Sequence, residues 1–524
     1  MSFDGPSLSH LLRECIARHA KTGRIALLGR FDPVPYAGLG GRIDWIAKAL
    51  GDVARGEIVG VLGSRSPDTV AAFLGIMQAG GCPCFLEPHP RVETVRDRLD
   101  AARARRVCLE GEHESLAPVL VRADLLIHRL SRLATEPPAR AAAGAGPRTT
   151  GEPAAAPGTP AGPPPGGVRE PCTTADPAMM QLTSGSTGEA KGVVLTHGNL
   201  ICNAQGIVAR TGITPADRLL HLMPLHHTNG VNNQLIAPLL AGATVVLADR
   251  FRAEEVEDQI AGYGATYLTG VPTMFSRMLP HLRDPGRRRS LRFLRCGSAP
   301  ISVALHERVE AAFGVPLVVS YGLSEATCTS TMNPPRARRI GSVGTVLAGQ
   351  QVRLLRPGTG DAVPVGAEGE VCIAGAAVMK GYVDGSSRAI LRDGWLRTGD
   401  LGRFDADGYL FITGRLKDVI VRGGENLSPR AIEGELERHP AVESCCVVGE
   451  PHADLGEVPV AFVQPRAGAA PDVGDLDALV AARLSRAHVP ARIHLVAALP
   501  ENAVGKVDRA ALARRVRGRG APDS

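Results

Sequence analysis

The sequence predicts an α/β protein in two parts: a large N-terminal domain of several layers built on parallel or mixed sheets, then a small α+β domain at the C-terminus. Two observations lead there. Segments with the apolar period of helices alternate with short β-branched runs over most of the 524 residues, which is how helices layered on sheets are written. Beyond a break near residues 413–418 come three short strand-like runs and two helical stretches, which fits a small α+β unit of roughly a hundred residues.

In chain order, residues 43–53 carry a helical period, 57–62 read as a strand and 68–79 as a helix. Residues 134–167 are nearly all Ala, Pro, Gly and Thr, too poor in large apolar side chains to offset the entropy of ordering, so a disordered connector is expected there. The alternation then resumes. Strands are expected at 179–182 and 193–195, a helix from near Asn199, a strand at 243–247, a helix at 253–262, and strands at 267–270 and 316–320. The division is placed between 1–414 and 415–524. Past it come a strand at 418–421, a helix opened by Ser428 as N-cap with Pro429 in its first turn, strands around 445–448 and 458–463, and a helix over 476–484.

Composition excludes several classes of protein. Hydrophobic residues make up 44% and charged residues 21%, ordinary values for a folded chain. The net charge of +6 is mild and the basic residues are scattered outside the tail 509–519, so a nucleic-acid partner is not implied. No uncharged apolar run reaches the ~18 residues of a membrane span, and Asp4, Arg13 and Glu14 leave no signal-peptide core at the N-terminus. Eleven cysteines are dispersed, and the close pairs 82/84 and 445/446 lack zinc or redox spacing. Buried thiols in a reducing compartment, the cytoplasm, are the expectation.

The chain uses only six lysines, Lys21, Lys48, Lys191, Lys380, Lys417 and Lys506. Three of these, Lys191, Lys417 and Lys506, stand in polar, glycine-containing motifs. The loop Thr183, Ser184, Gly185, Ser186, Thr187, Gly188, Glu189, Ala190, Lys191 offers backbone N–H groups, hydroxyls and one ammonium, which suits a polyphosphate. Its spacing is not that of a Walker loop, and the β-branched residues after it read as a strand, so the loop joins two strands as a hairpin cradle. A Ser/Gly-rich surface turn is written with the same letters.

Four further segments follow in order: 320–325 (Ser-Tyr-Gly-Leu-Ser-Glu), 398–400 (Thr-Gly-Asp), 414–418 with 422–426, and 502–508 (Asn-Ala-Val-Gly-Lys-Val-Asp). With the lysine loop they resemble the adenylate-forming superfamily of acyl-CoA synthetases, carrier-domain adenylating enzymes and luciferases, over nearly the full chain. The resemblance implies ATP, Mg2+ and CoA as reactants or cofactors, and a mobile C-terminal lid hinged near Lys417. A carboxylate attacks the α-phosphorus of ATP, pyrophosphate leaves, and a thiol then takes the acyl group. By the same resemblance, 183–191 cradle the β and γ phosphates, Glu325 holds the metal, Tyr321 stacks on adenine beside Gly322 and Ser324, and Gly297, Ser298, Ala299 and Pro300 line the base. Ser324 stands where the family has Thr and keeps the hydroxyl. Asp400 accepts the ribose hydroxyls, Arg415 adds a second grip, and Lys506 is the adenylating lysine. In a second arrangement of the lid, Gly423 and Gly424 leave room for a pantetheine arm.

His227 in Pro-Leu-His-His (224–227) matches the segment at the entrance of the acyl pocket, where it gates or orients the carboxylate; a histidine satisfied by its surroundings is the other reading. Asn229, Asn232, Asn233 and Gln234 are polar for a fatty pocket, since buried amides need partners. They point to a short polar acid, unless they face solvent or cap a helix. Phe275 and Met278 have the look of helix packing. Free CoA is favoured over a carrier protein as acceptor, because the 422–429 segment is closer to free-standing acyl-CoA synthetases. A light emitter and a non-catalytic adenylate-binding regulator are the remaining alternatives, the latter at odds with the joint presence of Lys191, Glu325, Asp400, Arg415 and Lys506.

Overall fold

The computed structural model describes residues 5–88, 91–121, 125–131, 171–184, 190–501 and 506–517. The segment 134–167, the loop residues 185–189 and the segment 502–505 lie outside the described residues. So do the first four residues and the end of the basic tail.

Four sheets organise the chain. The largest has nine strands, with Phe293–Cys296, Tyr267–Gly270, Arg218–His221, Thr244–Leu247 and Ile25–Gly29 adjacent in that order and all parallel. A seven-stranded sheet runs from Gly381–Tyr382 through Ala190–Thr196, Pro177–Ser184, Cys82–Phe85, Ile58–Leu62 and Arg106–Leu109 to Leu126–Arg129. One apolar core joins these two sheets through the helices Leu8–Ala20, Tyr36–Ala49, Pro67–Gln78 and His197–Thr211. The helix Pro67–Gln78 lies deepest: every residue from Thr69 to Met77 is buried, as a helix apolar all round must be. Ser66 caps it, accepting from the Thr69 N–H, and Pro67 opens its first turn where a missing N–H does no harm. On the far face of the nine-stranded sheet a second core gathers the helices Val256–Tyr263, Pro272–Met278 and Val303–Phe313.

A third, antiparallel sheet pairs Gln350–Leu355, Gly369–Gly375, Trp395–Phe404 and Leu410–Arg415. The chain then crosses the short turn Leu416–Asp418 into a fourth sheet, Ile420–Arg422, Glu425–Leu427, Val442–His452, Gly456–Pro465 and Arg492–Leu495. This sheet is covered on both faces, by Pro429–Leu436 and Val473–Arg483 on one and by Arg509–Arg517 on the other. Ser428 caps Pro429–Leu436 through the Ala431 N–H.

The α/β layering agrees with expectation, and the differences are local. The helix expected over 43–53 is Tyr36–Ala49, because a buried tyrosine starts it and Gly51 turns left-handed after it (φ 65°). The helix expected from Asn199 starts at His197, since Thr196 is the cap and Asn199 closes a capping box with it. The region of buried amides, Asn229–Ile236, winds as a π-helix, a form that is rare and concentrated at functional sites.

Candidate active site

The site is assembled at the carboxyl ends of the parallel strands, where open α/β sheets bind ligands. The strands on either side of residues 185–189 pair, Pro177–Ser184 running antiparallel to Ala190–Thr196 with Thr183 opposite Lys191. The Thr183 hydroxyl donates to the Lys191 carbonyl at 3.3 Å. Ser184 belongs to the ladder through its backbone, and Gly185, Ser186, Thr187 and Gly188 fall in the segment outside the described residues. The Lys191 ammonium stands 4.9 Å from the centre of the Tyr382 ring, and the Tyr382 hydroxyl donates to Glu325 Oε1 at 2.8 Å. Tyr382 thus links Lys191 to Glu325. Sequence reasoning missed it. The available signal was an aromatic beside a glycine in a chain only 4% aromatic, on a two-residue strand whose partners, Val193 and Val194, are remote in sequence.

Asp400 is 3% exposed and takes one donor on each oxygen: the Tyr321 hydroxyl at 2.7 Å on Oδ2 and Arg415 Nε at 2.6 Å on Oδ1. Each carboxylate oxygen has a second lone pair, so acceptor capacity remains for a diol. Burial and then the Asp400 carboxylate push the Tyr321 hydroxyl well above its usual range, keeping it a donor. Gly322 is obligatory, because a Cβ there would lie 2.1 Å from the Cys328 carbonyl oxygen. After the strand Phe293–Cys296 the chain turns through Gly297, Ser298, Ala299 and Pro300. Ser298 takes a left-handed conformation (φ 65°) that a non-glycine residue adopts at a cost, and its hydroxyl accepts from Asn229 Nδ2 at 3.1 Å. Ser324 lies 3.5 Å from the Thr228 hydroxyl, tying the Glu325 turn to the His227 segment.

The small domain contributes Lys506. It lies within electrostatic reach of His227, Arg415 and Cys328. Burial, reinforced by the Arg415 charge, lowers the Lys506 pKa from its ordinary value. Burial first, and Lys506 second, pull His227 down to about 4, so it is neutral near pH 7, with Nε2 enclosed and without a partner among the described residues. Its neighbour His226, 4.5 Å away between ring centres, is pulled down to about 3 by burial and by His227.

Not every expected residue converges here. Gly423 and Gly424 form the exposed turn between Ile420–Arg422 and Glu425–Leu427, at φ 58° and 89°. Hydrogen bonds of Arg422 and Gly423 run to Ala487, Val489 and Leu455 of the same small domain. Asn229, Asn232, Asn233 and Gln234 are all buried, which corrects the solvent-facing alternative. Gln234 Oε1 accepts the Leu222 N–H at 3.0 Å and Asn232 Nδ2 donates to Asn203 at 2.7 Å, so these two serve the core. Asn229 and Asn233 instead turn toward Ser298 and Cys328. Phe275 and Met278 are wholly buried in the second core.

Glu325 is the one candidate metal ligand, and no group of three His, Cys, Asp or Glu side chains with metal-binding geometry occurs among the described residues. One carboxylate with a free oxygen fits a magnesium ion that travels with phosphates and keeps several waters.

Residues 14–383 match the family model for AMP-binding enzymes, and residues 431–506 match that for the C-terminal domain of AMP-binding enzymes. The chain belongs to the AMP-binding enzyme family. It is 40% identical to the sulfoacetate–CoA ligase of Cupriavidus necator over 340 residues, 64% of this chain and 66% of that protein, just under two thirds of its length. It is 32% identical to the indoleacetate–CoA ligase of Aromatoleum aromaticum over 531 aligned positions, 95% and 96% of the two chains. The crystal structure of ATP-bound MatB from Rhodopseudomonas palustris superposes with a TM-score of 0.85 at 27% identity, covering 97% of this chain and 98% of that one.

Proposed function

We propose that this protein is an ATP-dependent carboxylic acid:CoA ligase that makes an acyl-adenylate with release of pyrophosphate and then passes the acyl group to CoA. The observation that carries this reading is a pair of linked clusters, Lys191–Tyr382–Glu325 and Tyr321–Asp400–Arg415, with the buried Lys506 near enough to His227 to lower its pKa. Adenylation needs fixed positive charge where two anions approach one another. Lys506 supplies it at the carboxylate and α-phosphate, and Lys191 supplies it at the departing phosphates. The neutral His227 orients the acid by hydrogen bonding without adding charge. Asp400 and Arg415 hold the ribose, Tyr321 and residues 297–300 the base. Glu325 would hold Mg2+, which neutralises phosphate charge when bound.

For the second step the small domain turns about the Leu416–Asp418 segment, bringing Gly423 and Gly424 to the site; the CoA thiolate attacks the acyl carbonyl and AMP leaves. An acid:carrier-protein ligase is not favoured, since the relatives above are named as CoA ligases. Those names span acids as different as sulfoacetate and indoleacetate, so the acid must be read from the pocket, where buried Asn229 and Asn233 support a short polar one. All eleven cysteines are thiols and no helix among the described residues is long and apolar enough to cross a membrane. The thiols support a reducing compartment such as the cytoplasm, where ATP and CoA are available.

The test is Lys506→Ala. Acid-dependent exchange of pyrophosphate into ATP should fall about a hundredfold or more, while thioester formation from a supplied acyl-adenylate and CoA persists. Equal loss in both assays would remove Lys506 from the adenylation step.

A further inference from the structure

Arg295 is a buried cation without a counter-ion. It is 2% exposed, sits in the centre of the nine-stranded sheet, and among the described residues no carboxylate forms an ion pair with it. Its recorded partners are neutral: Nη2 donates to the Thr329 hydroxyl at 2.8 Å and reaches the Ser320 hydroxyl at 3.4 Å. Nε is enclosed with no acceptor. Burial pulls the guanidinium down to about 10, which still leaves it charged at neutral pH. A buried charge of this kind is costly unless something pairs with it.

Its surroundings suit an anionic ligand and share a face with it. Thr269 lies directly opposite Arg295 in the parallel register, and Tyr267 two residues earlier points to the same side. Thr269 Oγ1 and the Tyr267 hydroxyl are also enclosed without partners. Three side chains on one face, one of them cationic, thus each keep an enclosed polar atom with no partner among the described residues. A hydrogen-bonded chain ties this surface to the turn at Ser298, running from Thr329 through Asn233, which also touches the Cys328 sulfur, to Asn229 and Ser298. Asn233 donates to the same sulfur at 3.0 Å and accepts from Thr329 at 3.3 Å.

We propose that Arg295 anchors a second anionic group of the substrate, so that the acid activated here is a short dianion with a carboxylate at one end and a carboxylate or sulfonate at the other. This rests on the ligase reading and names its substrate class. It also gives the amides a part to play: Asn233 and Thr329 hold Arg295 in place without neutralising it, leaving its charge for the ligand.

The experiment compares acids matched in length, malonate with propionate and succinate with butyrate, together with 3-sulfopropionate, using the full-length enzyme with ATP and CoA. Acid-dependent pyrophosphate release and calorimetric binding of the same acids are measured. A dianion should exceed its monoanionic match by about a hundredfold or more in kcat/KM, the scale on which a buried polar site rejects a partner that cannot satisfy it. Arg295→Met should abolish that preference by raising KM for the dianion, with the monoanion little changed. Arg295→Gln, which keeps donors for Thr329 and Ser320, serves the same purpose should the methionine variant fail to fold. Monoanions bound and used as well as dianions by the unaltered enzyme would overturn the inference, as would an unchanged dianion-to-monoanion ratio in a folded Arg295 variant. Dianion binding without pyrophosphate release from any acid would instead count against the ligase reading and leave the anchor standing.

Discussion

At the scale of single residues, the behaviour of Lys506 follows from its neighbours. Burial and the Arg415 charge both disfavour its ammonium, so it loses its proton at a lower pH than an exposed lysine, whose pKa is about 10.4. The charged form is the one that draws carboxylate and phosphate together. The adenylation rate should therefore fall on the alkaline side of its pH profile earlier than an ordinary lysine would allow, and Lys506→Arg, though slower, should lose that alkaline limb. An alkaline limb identical in the two proteins would assign the titration to another group. Lys506, Lys191, Glu325 and Asp400 could be singled out as candidates in the sequence because each stands in a short motif whose neighbours are also particular. Tyr382 and Arg295 could not. Arg295 interrupts an apolar strand as a lone charge, and only the register with Thr269 and the approach of Thr329 reveal what it faces. Tyr382 gains its place from a pairing across almost two hundred residues of sequence.

At the scale of elements, local chemistry was legible wherever a cap or an alternation fixed the outcome. The paired strands around Lys191 and the Ser428-capped helix are of this kind. The π-helix Asn229–Ile236 was not legible, because its path is set by contact: a Cβ at Gly230 would lie 2.0 Å from the Pro224 carbonyl oxygen, so the backbone packs closely on a segment that periodicity cannot foresee. The short turn Leu416–Asp418, between the third and fourth sheets, is the element on which the proposed two-step cycle depends. Proline at position 417 fixes φ and restricts the preceding residue. Lys417→Pro should leave pyrophosphate exchange within about twofold while slowing thioester formation by about tenfold or more, as for a hinge locked in one state. Rapid-quench measurement of the two half-reactions separates these rates, and normal thioester formation in this variant would exclude the turn as the pivot.

At the scale of the whole molecule, the two domains meet through polar contacts, and among the described residues they share no apolar core. The Ser276 hydroxyl donates to Glu443 at 2.7 Å, and Arg277 donates to both oxygens of Glu501 at 2.8 and 2.7 Å. Arg308 approaches Glu443 at 3.4 Å. Such partly exposed pairs contribute only about 0–1 kcal/mol each, which suits the proposed cycle, in which this contact forms and releases once per turnover. The sequence marked the change of pattern near residues 413–418 but gave no sign of this contact, since its residues are separate charges on surfaces brought together only by folding. Removing both large-domain donors in Ser276→Ala/Arg277→Ala spares the small domain's own structure and weakens only the docked arrangement. Loss of about 1 kcal/mol there lowers the docked population several-fold. Pyrophosphate exchange should slow by that factor, while thioester formation from supplied acyl-adenylate holds steady or quickens. Raising the salt concentration should push the unaltered enzyme in the same direction, because the Arg277–Glu501 pair is partly exposed and is screened. If both half-reactions slowed equally in the double variant, the contact would be holding the fold together and would not be selecting between domain arrangements.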